Sequence, residues 1–137
     1  MLKFFGLVPG LIYVAIIYGV TTLTMGGNAT AQMAHVLISI VLPSGADWQL
    51  TTGHIFILLA ALGLFFELLK STNPTDTAIA ENGISAVSLL FFILLFVLVR
   101  AFGTTEFFFI VFMQVLDTVV GLVVLVSTAR RTIDHER

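Results

Sequence analysis

Asp117 is the residue whose type and surroundings most invite a chemical role. It stands at the centre of an apolar run over residues 106–128. An Asp at that depth of a membrane helix costs about 2.5–3.5 kcal/mol on insertion scales, so it should face other helices rather than lipid. Gln114, Asp117, Gly121 and Thr128 share one helical stripe, and the opposite face is Phe, Val and Leu. Gly121 would let a second helix approach closely. Tyr13 and Ser88 fall near the middle of their own apolar runs, so an intramembrane polar cluster of Tyr13, Ser88, Gln114 and Asp117 is expected. No Lys or Arg lies at that depth in sequence, so the carboxyl is expected to be neutral and hydrogen-bonded. Two roles suit such a group: a polar clamp between helices, or a site that takes up and releases a proton or ion.

A second cluster, Glu67, Lys70, Glu81 and Asn82, is expected at the inner surface. Glu81, Ser85 and Ser88 follow one face of a helix at i, i+4 and i+7. Ala60, Gly63 and Glu67 form a small-residue face on another. If these faces meet, a polar track runs from the two glutamates up to Ser88 and Asp117. The plainer alternative is local: Glu81 favours a helix N-terminus, while Glu67 snorkels or pairs with Lys70.

On the outer side His35, His54 and Asp47 are potential ligands for a metal or a haem, but their spacing matches no ligand pattern, and neither metal nor cofactor is expected. His135 belongs to a charged tail. The chain has no cysteine, which removes thiol nucleophiles, disulfides and iron–sulfur clusters. No nucleophile elbow, zinc-protease motif or phosphate-binding loop is present. No basic patch with interleaved aromatics suggests nucleic acid. An enzyme would have to build its site inside the membrane from Asp117, Tyr13 and the glutamates.

The elements that carry these residues follow from composition. Of 137 residues, 58% are hydrophobic and only 10% are charged, with a mean hydropathy of +1.10. Soluble domains carry about 25% charged residues, so the solvent for most of this chain is expected to be lipid. The expected fold is all-α: an antiparallel bundle of four transmembrane helices in a single domain over 1–137, with helices over about 4–24, 51–70, 78–99 and 106–128 and a cytoplasmic tail over 129–137. The links 71–77 and 100–105 are short, which makes sequential helices neighbours. The longer link after the first helix carries Gln32, His35 and Ser39 at i, i+3 and i+7 among apolar residues, and Pro43-Ser44-Gly45 ends it. A short interfacial helix over about 30–42 is expected, or else an apolar plug over the bundle. Trp48 follows as an interfacial anchor. Gly6 and Gly10 have GxxxG spacing, a weak packing or dimer motif. The first apolar run is longer than a signal-peptide core, so its retention is expected. Five of the six Lys and Arg residues (Lys3, Lys70, Arg130, Arg131 and Arg137) fall on one side, with only Arg100 opposite. Both termini are therefore expected in the cytoplasm.

The C-terminal part resembles small four-helix bacterial inner-membrane proteins whose function is uncharacterised. The likeness rests on Phe102-Gly103-Thr104-Thr105-Glu106-Phe107-Phe108, Leu116-Asp117 and Ala129-Arg130-Arg131. It implies an inner-membrane setting and no activity. The early helix-1 Glu of small multidrug transporters is missing. The expectation is a non-enzymatic accessory or scaffold subunit whose partners are the bilayer and another membrane protein or itself. The alternatives are a small transporter or proton/ion-conducting unit using Asp117, and an intramembrane enzyme or redox carrier.

Overall fold

A computed structural model describes residues 8–24, 28–71 and 78–135. Lys3, Gly6, the link 72–77 and Arg137 lie outside the described residues, as do the side chains of Thr128 and of 131–135. The first helix, α1, spans Gly10–Thr24 and starts directly after Pro9, a residue suited to a helix start because it has no N–H to leave unpaired. Thr21, Thr22 and Thr24 turn their hydroxyls back onto the carbonyls of Ile17, Tyr18 and Val20. Polar side chains thus sit on an apolar helix without an unpaired donor.

A five-residue helix, α2, spans Ala29–Met33 and is capped by Asn28, whose side chain accepts from the Thr30 N–H at 3.3 Å. Met33 is buried in the core. The helix stops there, which corrects the expected interfacial helix over 30–42. Val36–Val41 forms strand β1 and pairs antiparallel with β2, Asp47–Thr51. The reason is local. Val36, Ile38, Ile40 and Val41 are β-branched and favour a pleated strand. The five-residue connection Leu42–Ala46 is closed by the Leu42 N–H donating to Ala46 O at 2.9 Å, and within it Gly45 N–H donates to Leu42 O at 2.8 Å and Gly45 takes a positive φ of 81°. That is hairpin turn chemistry, and it acts as a reversal rather than as the end of a helix.

Helix α3 spans Thr52–Ser71, α4 spans Ala78–Leu98, a 3-10 turn covers Arg100–Phe102, and α5 spans Thr105–His135. Thr104 caps α5 by accepting from the Phe107 N–H at 3.2 Å. The helix runs on through residues 129–135, which were expected to be tail. Among the described residues three helices are long and apolar enough to cross a membrane: Thr52–Ser71, Ile79–Leu98 and Thr105–Ser127. Gly10–Thr24 is apolar and shorter.

The core gathers Leu11, Ala15 and Tyr18 from α1; Met33 from α2; Phe56 and Ala60 from α3; Phe92 from α4; and Phe102, Phe107 and Ile110. The spacing Leu11, Ala15, Tyr18 is one helical face. The outward faces are apolar too, with Val87, Val97 and Leu98 about 70% exposed, whereas Ser85, Gln114 and Thr118 are buried. Continuous exposed apolar surface around a polar seam suits a lipid solvent and not water.

Candidate functional site

The seam is built on Ser85 of α4. Its hydroxyl donates to Asp117 Oδ2 at 2.5 Å, receives Gln114 Nε2 at 2.7 Å, and lies 3.1 Å from Thr118 Oγ1. Thr118 donates to the Gln114 carbonyl at 2.9 Å, one turn back. Gln114 and Thr118 stand at Asp117 −3 and +1, so three consecutive polar groups of α5 meet one hydroxyl of α4. A hydroxyl has a single proton. With an ionised Asp117, Ser85 donates to the carboxylate and the Ser85–Thr118 separation holds no proton. With a neutral Asp117, the acid donates to Ser85, Ser85 to Thr118 and Thr118 to the backbone. With the neutral acid the network gains one hydrogen bond, from Ser85 to Thr118.

Neighbouring contacts extend the seam toward the ends of α3 and α4. Lys70 Nζ lies 3.0 Å from Glu81 Oε2. Glu67 Oε1 accepts from the Gly10 N–H at 2.8 Å, which places a carboxylate at the N-terminus of α1, where the helix dipole favours it. Of the two serines on the Glu81 face, Ser85 is the one that meets Asp117. Ser88 instead bonds the carbonyl of Ile84 on its own helix at 2.7 Å, and Tyr13 is half-buried on α1.

The depth of Asp117 explains the exchange of Ser88 for Ser85. Asp117 is central in its own apolar run, yet it packs beside Ser85, only about 10 Å from the start of α4 at 1.5 Å per residue. Counting from the tight turn at Arg100–Phe102 shows why. Thirteen residues separate Ser85 from Leu98, and twelve separate Asp117 from Thr105.

Asn82 precedes Ser85 by one turn and fits over Gly121. A Cβ built on Gly121 would lie 2.6 Å from Asn82 Oδ1, so Gly121 is the close-approach position that its stripe suggested. Asn82 Oδ1 and Gln114 Oε1 are buried without a hydrogen-bond partner among the described residues. At the other end of α3, His54 Nδ1 accepts from the Thr51 N–H at 3.2 Å and the His35 carbonyl accepts from the Thr52 N–H at 2.9 Å. Asp47 sits across the hairpin from Val41. Among the described residues no three His, Asp or Glu side chains are grouped as metal ligands would be.

The chain matches no protein-family model, no curated protein and no solved structure. Its own geometry carries the functional reading.

Ser85 and Thr118 are the site residues that sequence reasoning underweighted. Ser85 was visible on the Glu81 face, while Thr118 had no signal beyond adjacency to Asp117. Because Ser85 serves three partners, Ser85→Ala is expected to cost more than one average interhelical hydrogen bond, which is about 0.6 kcal/mol in a membrane protein. A loss of about 1–2 kcal/mol is expected, since the Gln114 amide is left buried with poorer partners. Asp117→Asn, which keeps a donor and an acceptor, is expected to lose less. Reversible unfolding in detergent or bicelles would order the two variants.

Proposed function

We propose that this chain is a four-helix integral membrane protein that acts as an accessory or scaffold subunit, packing against another membrane protein or a second copy. The setting we propose is a bacterial inner membrane, with both termini cytoplasmic. The observation that carries the reading is the clamp itself. Ser85, Gln114, Asp117 and Thr118 spend their hydrogen bonds on one another across α4 and α5, and the surface turned outward from them is apolar. Contacts support an alternating, antiparallel order of helices. Gly10 meets Gly63 and Glu67 while Tyr18 meets Phe56, and Ser85 meets Asp117 while Phe92 meets Phe107.

A second reading, a small proton- or ion-conducting unit, is favoured by one observation. Two buried acceptors, Asn82 Oδ1 next to the Lys70–Glu81 ion pair in sequence and Gln114 Oε1 on the residue that bonds Asp117, have no donor among the described residues. Purification in mild detergent separates the readings. Recovery of a stoichiometric larger membrane protein supports the accessory role. A clean homo-oligomer that carries proton flux in vesicles, lost in a stably folded Asp117→Asn variant, supports conduction and overturns it. For topology, reporters inserted at Asn28 are expected outside and those after Arg137 inside. A C-terminus read outside would reject the proposed orientation.

A further inference from the structure

The β1–β2 hairpin has two unlike faces. In the register observed, Ile38 opposes Leu50 and Ile40 opposes Trp48, while Ser39 opposes Gln49 and Val41 opposes Asp47. Side chains alternate across a strand. Ile38, Ile40, Trp48 and Leu50 therefore share one wholly apolar face, and Ser39, Val41, Asp47 and Gln49 lie on the other, which is mixed. Ile38, Ile40 and Trp48 are each about half exposed.

We infer that this hairpin docks on the lipid surface, with the Ile38–Ile40–Trp48–Leu50 face lying in the interfacial layer of the leaflet at its end of the helices. The inference rests on the membrane reading above. Attachment is the first argument. Thr51 ends β2 and Thr52 begins α3 with no residue between. Met33 anchors the other arm in the core, and Thr52 N–H bonds His35 O across the base. The apolar face is thus held at the end of an apolar helix whose exposed Leu58, Leu59 and Leu62 continue the same kind of surface. Chemistry is the second argument. Trp48 combines an apolar ring with one N–H donor, the pairing that favours the membrane–water boundary.

Backbone hydrogen bonding then limits the depth. A two-stranded ribbon has unpaired N–H and C=O groups along both edges, which hydrocarbon cannot satisfy. Headgroups and water can, so the ribbon stays at the interface. Between Val36 and Thr51 the only charged side chain is Asp47, on the mixed face opposite the Trp48 side. Docking is therefore driven by apolar burial and is expected to need neither anionic lipid nor low salt.

Trp48 is the sole tryptophan, so the full chain reports on its own hairpin. In phosphatidylcholine vesicles, doxyl lipids labelled near the headgroup are expected to quench Trp48 more than lipids labelled deep in the chain. Iodide should quench it several-fold less than free tryptophan, with little change on adding phosphatidylglycerol or salt. Iodide quenching equal to that of free tryptophan would overturn the proposal. So would protection from iodide without lipid quenching. Because the chain lacks cysteine, Ile40→Cys supplies a single thiol, and efficient copy-to-copy crosslinking there would assign the face to a second copy instead. Alkaline extraction keeps the two readings apart. A chain released from the membrane fails the membrane reading, whereas a retained chain with water-exposed Trp48 fails the hairpin proposal alone.

Discussion

Gly63→Leu is expected to loosen α1 from the other helices. Gly63 and Gly10 meet backbone to backbone: a Cβ on Gly63 would lie 3.6 Å from the carbonyl carbon of Gly10 and from Leu11 N. That is ordinary contact distance, so a methyl fits and Gly63→Ala is expected to be tolerated. A leucine side chain extends beyond it into the α1 backbone, which cannot yield as a side chain could. Overpacking of this kind costs about 1–3 kcal/mol. A second loss accompanies it, because separating the helices also breaks the bond from Gly10 N–H to Glu67 Oε1 and leaves a carboxylate without its helix terminus. Stability of the Ala and Leu variants, measured by reversible unfolding in bicelles, should differ by at least the overpacking cost. Equal stabilities would mean that the glycine contact does not hold α1 in place.

Tyr18→Ala is the second large effect. Tyr18 is fully buried, with ring centroids 5.3 Å from Phe56, 5.2 Å from Phe107 and 5.9 Å from Phe102. Its hydroxyl bonds Thr104, the residue that caps α5. One side chain therefore joins α1, α3, the 3-10 turn and the start of α5. Removing a large aromatic from a soluble core costs about 3–5 kcal/mol. Part of that figure is transfer out of water, which is small where the unfolded reference is already in lipid. About 2–4 kcal/mol is the expected loss here, dominated by the vacated volume. Tyr18→Phe keeps the packing and removes only the hydroxyl, so a loss near 1 kcal/mol or less is expected. If Phe proved as damaging as Ala, the hydrogen bond to the cap, and not the ring, would be the main contribution.

These positions show how far a sequence can be read. Gly63 was visible as part of the Ala60–Gly63–Glu67 face, yet its partner Gly10 was assigned to a GxxxG pair with Gly6 on its own helix. Glu67 was read against Lys70, its neighbour one turn away, although its hydrogen bond goes to a different helix. Local spacing shows which residues share a face and is silent about which face they meet. The hairpin failed for another reason. Gln32, His35 and Ser39 happen to repeat at helical spacing, and in a short apolar stretch that coincidence outweighed the β-branched residues and the Pro-Ser-Gly turn.

Four apolar runs are legible in the sequence alone, because length and hydropathy decide that property residue by residue; among the described residues three of them form helices long enough to cross a membrane, and Gly10–Thr24 is shorter. The presence of a polar group that must face inward at Asp117 followed from the same arithmetic. Its partners did not. Ser85 replaces Ser88 because the tight turn at Arg100–Phe102 sets how far α5 slides along α4. A slide of three residues moves a side chain about 4.5 Å along a helix, enough to exchange one hydroxyl for another. Helix register is a property of the packed pair, decided by which side chains interlock between them, and only the tertiary structure supplies it.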